Sequence, residues 1–179
     1  MPVRRPRIQQ RLDAAIGKRG GTGAIQQLCE ALYHRKEEIR QAAAWSLGEI
    51  GHESALPELL AALGDEDWLV RRNVVNALGK IGHTGAAPRL RSLLNDPDPR
   101  VRAEAAEVLG MFADAQAVEP LIVRLQDDAP CLMEKFKDLL VRDIAARALR
   151  RIGTPEALTA LQKNAADNDS DAKPPAAQK

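Results

Sequence analysis

Apolar positions along the chain fall into pairs of short stripes, and the pairs repeat. Ile25, Leu28 and Leu32 form one stripe; Ile39, Ala43, Ser46, Leu47 and Ile50 form the next. Their spacing of i, i+3, i+4 and i+7 is that of an amphipathic helix. Leu59 and Leu63, then Leu90 and Leu94, restate the first stripe, while Val70, Val74, Ala77, Leu78 and Ile81 restate the second. Leu47-Gly48, Leu78-Gly79 and Leu109-Gly110 recur at 31 residues, as do Ile39-Arg40, Val70-Arg71 and Val101-Arg102. A fixed period in this range marks a stacked array of helical hairpins, each burying its apolar face only against its neighbours.

Punctuation follows the same period. Asp65, Asp96 and Asp127 separate the paired helices, where a carboxylate can accept exposed backbone N–H groups. Glycines 51, 82 and 153 close second helices, where a left-handed residue costs Gly least. Gly48, Gly79 and Gly110 instead lie inside helices, at about 1 kcal/mol each relative to Ala. That repeated penalty predicts a close neighbour. Full repeats span about 21–51, 51–82 and 82–113. In the fourth, the Val-Arg pair arrives nine residues late, at Val141-Arg142, which places an insertion at about 129–139. No further Pro or Gly follows Pro130 until Gly153, which predicts one long helix over 130–152. Residues 7–20 and 154–166 read as terminal half-repeats, so the solenoid is expected over 1–166. The polar, proline-containing 167–179 reads as a disordered tail.

The copies DPDPRVRAEAAEVLGMF and DEDWLVRRNVVNALGKIG resemble the short HEAT-like repeat of phycobilisome (PBS) bilin lyases. The resemblance covers about 7–162. It implies an all-α fold, an α/α superhelix of about four 31-residue repeats with half-repeats at the ends. It also implies that the second helices line the concave face. The same repeat serves lyases, adaptors and assembly factors. The recurring Arg40, Arg71, Arg102 and Arg142 read as a structural ladder to the Asp row, which the forked guanidinium suits.

Composition narrows the chemistry. Apolar residues make up 45% of 179 but aromatics only 3%, so Ala, Leu and Val fill the core. Charged residues, 28% of the chain, nearly cancel at +1, which argues against a nucleic-acid partner. Two distant cysteines, Cys29 and Cys131, make no disulfide framework and suit a reducing compartment. The basic N-terminal run lacks the apolar centre of a secretion signal, and no window has the roughly 18 apolar residues of a membrane span. A cytoplasmic protein without membrane contact is expected.

No catalytic constellation emerges. Neither cysteine has a positioned base, and no Gly-rich phosphate loop is present. His52-Glu53 resembles the iron-binding dipeptides of deoxyhypusine hydroxylase, another HEAT-like protein, but lies in a turn rather than after a Val-Arg pair. No metal and no cofactor are expected. What remains is the concave face, where the outward positions are Trp45, Trp68, Leu69, Arg72, Asn73, Asn76, Lys80, Glu104, Glu107 and Met111. Trp and Arg are the types enriched among binding hot spots. The insertion's Leu132, Met133 and Phe136 form either a cap on the last repeat or a second interface. The expected function is a non-catalytic scaffold holding another protein in the groove. The alternative the resemblance implies is a bilin lyase or lyase subunit acting with a bilin chromophore or phycobiliprotein, the propionates near Arg72, Arg147 or Arg151.

Overall fold

The structure, a computed structural model, describes residues 22–132, 134–136 and 138–171. The predicted half-repeat at 7–20, Met133 and residues 172–179 lie outside them. Helices follow in the order α1 (Thr22–Ala31), α2 (Glu37–Ile50), α3 (Leu56–Ala62), α4 (Trp68–Ile81), α5 (Ala87–Ser92), α6 (Pro99–Met111), α7 (Val118–Arg124), α8 (Val141–Ile152) and α9 (Pro155–Asp171). Single 3₁₀ turns at Glu53–Ala55, Thr84–Ala86 and Ala115–Ala117 lead into α3, α5 and α7. The second helices α2, α4, α6 and α8 stack on one another as one layer, and the shorter first helices pack outside them. The helix α9 continues to Asp171, into the segment whose composition suggested a tail.

The period sets the core. Leu28, Leu59, Leu90 and Leu121 occupy one position of the first helices, and all are buried. Val70, Val101 and Val141 do the same for the second helices, as do Leu47, Leu78 and Leu109. The in-helix glycines have their neighbour. A Cβ on Gly48 would stand 2.9 Å from the Ala77 Cα, one on Gly79 2.7 Å from Val108 Cγ2, and one on Gly110 2.7 Å from the Ala148 Cα. The missing side chain therefore lets each second helix lie directly against the next.

Each inter-helix turn is wired to the following repeat. Arg71 donates from Nε and Nη2 to Asp96 at 2.7 and 2.8 Å, and from Nη1 to the Asp65 carbonyl of its own turn at 2.8 Å. Arg40 repeats this on Asp65 and the His34 carbonyl, and Arg102 on Asp127 and the Asp96 carbonyl. The same carboxylates accept the backbone N–H two residues on, from Asp67, Asp98 and Ala129. The helices themselves are capped one step later. Asp67 accepts from Leu69 and Val70, and Asp98 from Arg100. Arg142 departs from the pattern and pairs with exposed Asp128.

The long helix expected over 130–152 does not form. The insertion doubles back, with a bridge between Pro130 and Leu140 and hydrogen bonds from Cys131 N to Leu139 O and from Val141 N to Ala129 O. Leu132 and Asp138 adopt left-handed backbone, φ 43 and 62, which no helix continues through. Helix propensity is a weak prior that burial overrides. Here the reversal buries Cys131 and Phe136, and α8 starts only at Val141.

Candidate binding groove

Structural register assigns the inner-layer side chains to rows. Lys80 pairs with Glu49, one repeat before it in the same position, and Asn73 donates to the Gln41 carbonyl at 3.2 Å. Successive second helices are therefore in phase. One row reads Trp45, Asn76, Glu107, Arg147, and its neighbour reads Glu49, Lys80, Met111, Arg151. Trp68 sits at the start of α4, level with Glu37 of α2 rather than with Trp45. Trp45 comes eight positions after Glu37, about 12 Å along the helix axis. The two tryptophans, although on neighbouring second helices, thus provide two separate surfaces.

Trp68, half-buried, is roofed by Arg100, whose guanidinium carbon lies 3.3 Å from the ring centroid. Asp98 fixes that guanidinium with two hydrogen bonds, at 2.9 and 2.6 Å. The side-chain bond from Arg100, its backbone amide and its charge hold the Asp98 carboxyl below its ordinary value against the opposing effect of burial. Leu69 beside it is half-buried, and Met111 is 55% exposed at the far end of α6.

Glu104 and Glu107 depart furthest from expectation. The sequence placed them outward as polar contacts; the structure leaves Glu104 only 1% and Glu107 6% exposed. Flanking helices and the insertion close over them with cations. Glu104 Oε1 accepts from Asn76 Nδ2 at 2.8 Å and from Lys135 Nζ at 3.1 Å, and its Oε2 lies 3.8 Å from Arg72 Nε. Glu107 Oε1 accepts from Arg151 at 2.8 Å, while Arg147 stands 4.0 Å from its Oε2. Glu104 Oε2, Glu107 Oε2 and Arg72 Nε are all buried without a hydrogen-bond partner. Two carboxylates thus face four cations.

Of the described residues in the proposed second interface, Leu132 is presented to solvent, at 80% exposure, and Phe136 is not. Phe136 is 1% exposed, with Lys135 at 4.8 Å from its ring, so its ring is buried in the core and is not presented as a contact. Lys135 and Arg100 are the site residues that sequence reasoning missed. Arg100 is the equivalent of Leu69 one repeat on, so the period could have found it; Lys135 lay inside a supposed helix with no periodic equivalent.

Among the described residues, no group of three or more His, Cys, Asp and Glu is placed to hold a metal ion. His52 is exposed, its Nδ1 accepting the Ser54 N–H at 3.2 Å in the turn before α3.

Paired helices, stacked in register through glycine contacts and arginine rungs, define an α/α superhelical repeat protein. HEAT repeats match residues 4–67 and 56–132, and the PBS lyase HEAT-like repeat matches 141–167. The chain belongs to the HEAT-repeat family. Among solved structures it is similar to the complex of CpcE and CpcF of phycocyanin lyase from Nostoc sp. PCC7120, at 28% identity and TM-score 0.62. That match covers 79% of this chain and 63% of the other, so the chain spans less than two thirds of that relative. A designed armadillo repeat protein in complex with the peptide (KR)4 shares the fold at 22% identity and TM-score 0.56, covering 97% and 93%. An engineered protein is 26% identical at TM-score 0.54, over 79% and 69%. No curated protein matches the chain.

Proposed function

We propose that this protein is a non-catalytic scaffold that holds a segment of another protein across the inner layer of second helices. The observation that carries this reading is the Arg100–Trp68 stack. A flat aromatic surface is roofed by a guanidinium that Asp98 has already oriented. Such a surface loses little conformational freedom on binding, and its residue types are those of interface anchors. Along the row from Trp45 to Arg147 the side chains change from apolar to amide to charged, which suits an extended polypeptide better than a compact ligand. The CpcE–CpcF complex shows a related repeat chain associating with a protein partner. Among the described residues no helix is long and apolar enough to cross a membrane. A cytoplasmic scaffold is the setting we assign to it.

The experiment is affinity capture from the native host, comparing the unaltered protein with Trp45→Ala and Trp68→Ala. A partner retained by the first and lost by the others supports the groove; equal capture by all three overturns it.

A second reading, a bilin lyase or lyase subunit, is favoured by the PBS lyase repeat at 141–167 and the likeness to phycocyanin lyase. Arg72, Arg147 and Arg151 would receive the propionates, but each already faces Glu104 or Glu107. A bilin would have to share or displace those carboxylates. Mixing the protein with free bilin and recording the absorption spectrum separates the readings: a shifted, intensified band supports this one, and an unchanged spectrum the scaffold.

A further inference from the structure

Among the described residues, two sets of arginines on the second helices contrast. Arg40, Arg71 and Arg102 each engage Nε, Nη1 and Nη2, with fork-to-fork contact to one carboxylate and a third bond to a carbonyl. Their side chains are nearly buried. Arg147 and Arg151 differ in both respects. Arg151 makes one hydrogen bond, from Nη1 to Glu107, and Arg147 reaches Glu107 only at 4.0 Å. Their side chains remain 41% and 42% exposed. At i and i+4 they project from one face of α8, so the guanidinium donors that Glu107 does not use line one patch.

Their surroundings leave the charge unbalanced. Arg72, Lys135, Arg147 and Arg151 surround Glu104 and Glu107, an excess of two positive charges at one end of the inner layer. Toward α2 the charges balance instead: Glu37 and Glu38, exposed in its first turn, follow exposed Arg35 and Lys36, and Glu49 is paired with Lys80. The α8 patch is therefore locally basic although the whole chain is almost neutral, at +1.

We propose that the α8 end of the groove docks an acidic segment of the partner protein, its carboxylates seated on Arg147 and Arg151, with Lys135 at the rim. This rests on the scaffold reading and specifies the partner's chemistry. Carboxylates suit the guanidinium fork, and the unused donors are presented rather than buried. A nucleic acid would need a run of phosphate contacts along the groove, whereas Arg147 and Arg151 offer a single patch on α8. Acidic residues of the partner are therefore expected toward α8.

The test uses a fluorescein-labelled decaglutamate peptide and a matching decalysine peptide, measured by fluorescence anisotropy at low and moderate salt. The decaglutamate is expected to bind the full chain, weaken with salt, and lose at least tenfold in affinity in Arg147→Gln/Arg151→Gln. The charge-matched Arg35→Gln/Arg89→Gln, in the α1–α2 turn and on α5, should bind as the unaltered protein does. Thermal melting identifies a variant that has failed to fold, for which Arg147→Lys/Arg151→Lys substitutes, expected to bind more weakly while keeping the charge. Decalysine binding as tightly as decaglutamate, or equal losses in both double variants, overturns the proposal. Host capture separates the two levels: a partner lost by Trp68→Ala yet kept by Arg147→Gln/Arg151→Gln leaves the scaffold standing and sinks its acidic docking. Insensitivity of capture to both sinks the groove itself.

Discussion

Gly110 lies against the backbone of Ala148, so that a Cβ on Gly110 would stand 2.7 Å from the Ala148 Cα. Ordinary helix propensity favours Ala over Gly by about 1 kcal/mol in a helix interior. Backbone cannot swing aside as a side chain can, so the clash decides the sign here. Gly110→Ala should destabilise the protein, seen as a lower urea midpoint. Three residues on, Ala113 holds φ 50 where the equivalent positions are Gly51, Gly82 and Gly153. Left-handed backbone costs a non-glycine residue roughly 1–2 kcal/mol. Ala113→Gly should therefore raise the midpoint, and a fall would show that this turn is not strained.

The Arg71–Asp96 rung is the most buried of the ladder, with side chains 11% and 3% exposed. Removing one partner of a buried pair typically costs about 3–5 kcal/mol, because the other charge is left stranded. Asp96→Ala should approach that range. Asp128→Ala, which strips Arg142 of an exposed partner, should cost less than about 1 kcal/mol. Denaturant melts of the two variants give the comparison directly, and equal losses would contradict the ladder.

The rungs were legible in the sequence because each rests on a periodic pair, an arginine after an apolar residue and an aspartate 25 positions later. The helix phase was legible for the same reason: Leu78, Val74 and Ala77 are buried as their spacing requires. What the period could not supply was anything set by a non-periodic neighbour. Glu104 reads as a surface residue until Lys135 and Asn76 close on it. Phe136 reads as part of a helical stripe until the chain reverses at Leu132 and Asp138. Trp45 and Trp68 lie on neighbouring helices but eight positions apart in register, which counting along the repeat reveals.

Acid should weaken the array below about pH 4. Burial pushes the Asp127 carboxyl upward, but the Arg102 hydrogen bond, the Ala129 amide and the charges of Arg102 and Arg124 outweigh it and leave the pKa lowered from 3.8. Asp98 is lowered as well, chiefly by its bond from Arg100. A depressed folded-state pKa contributes stability that is complete above the unfolded value and declines as pH falls through the folded one. Urea midpoints should therefore hold between pH 5 and 7, as an approximate plateau, and drop beneath pH 4. In Asp127→Asn the drop should be shallower. An unchanged acid slope in that variant would remove Asp127 from the account.

The thiols should be nearly inert in the native state. Burial, then the charges of Asp143 and Asp127, push the Cys131 thiol up to about 11, and burial leads the causes raising Cys29. Since thiolate is the reactive form, only about one molecule in a thousand would carry it on Cys131 at pH 8. Iodoacetamide should label the folded protein slowly and the urea-unfolded protein at the rate of a free cysteine. Phe136→Ala, which loosens the cap around Cys131, should speed native labelling of that residue. Rapid labelling of the unaltered protein would mean the insertion does not stay closed.

Trp68 and Trp45 make separable demands on a bound partner because they stand about two helical turns apart. Neither change removes a fully buried core side chain, so Trp45→Ala and Trp68→Ala should keep native helicity by circular dichroism. Truncating an interface anchor commonly costs about 2 kcal/mol or more, while rim positions cost little. Each single variant should therefore weaken partner binding by at least about tenfold in a titration. Arg100→Ala supplies an internal check. It leaves the Trp68 ring in place and removes only the oriented guanidinium above it, so its loss should be smaller than that of Trp68→Ala. In a Trp45→Phe background it should also shift the emission of the remaining tryptophan to the red, as the ring gains water. Glu58→Ala, on α3 in the outer layer, should bind as the unaltered protein does. A partner that depends on Glu58 but not on either tryptophan would be sitting on the first helices. The buried Phe136 could not then be offered in their place; the exposed Leu132 would be the next position to test.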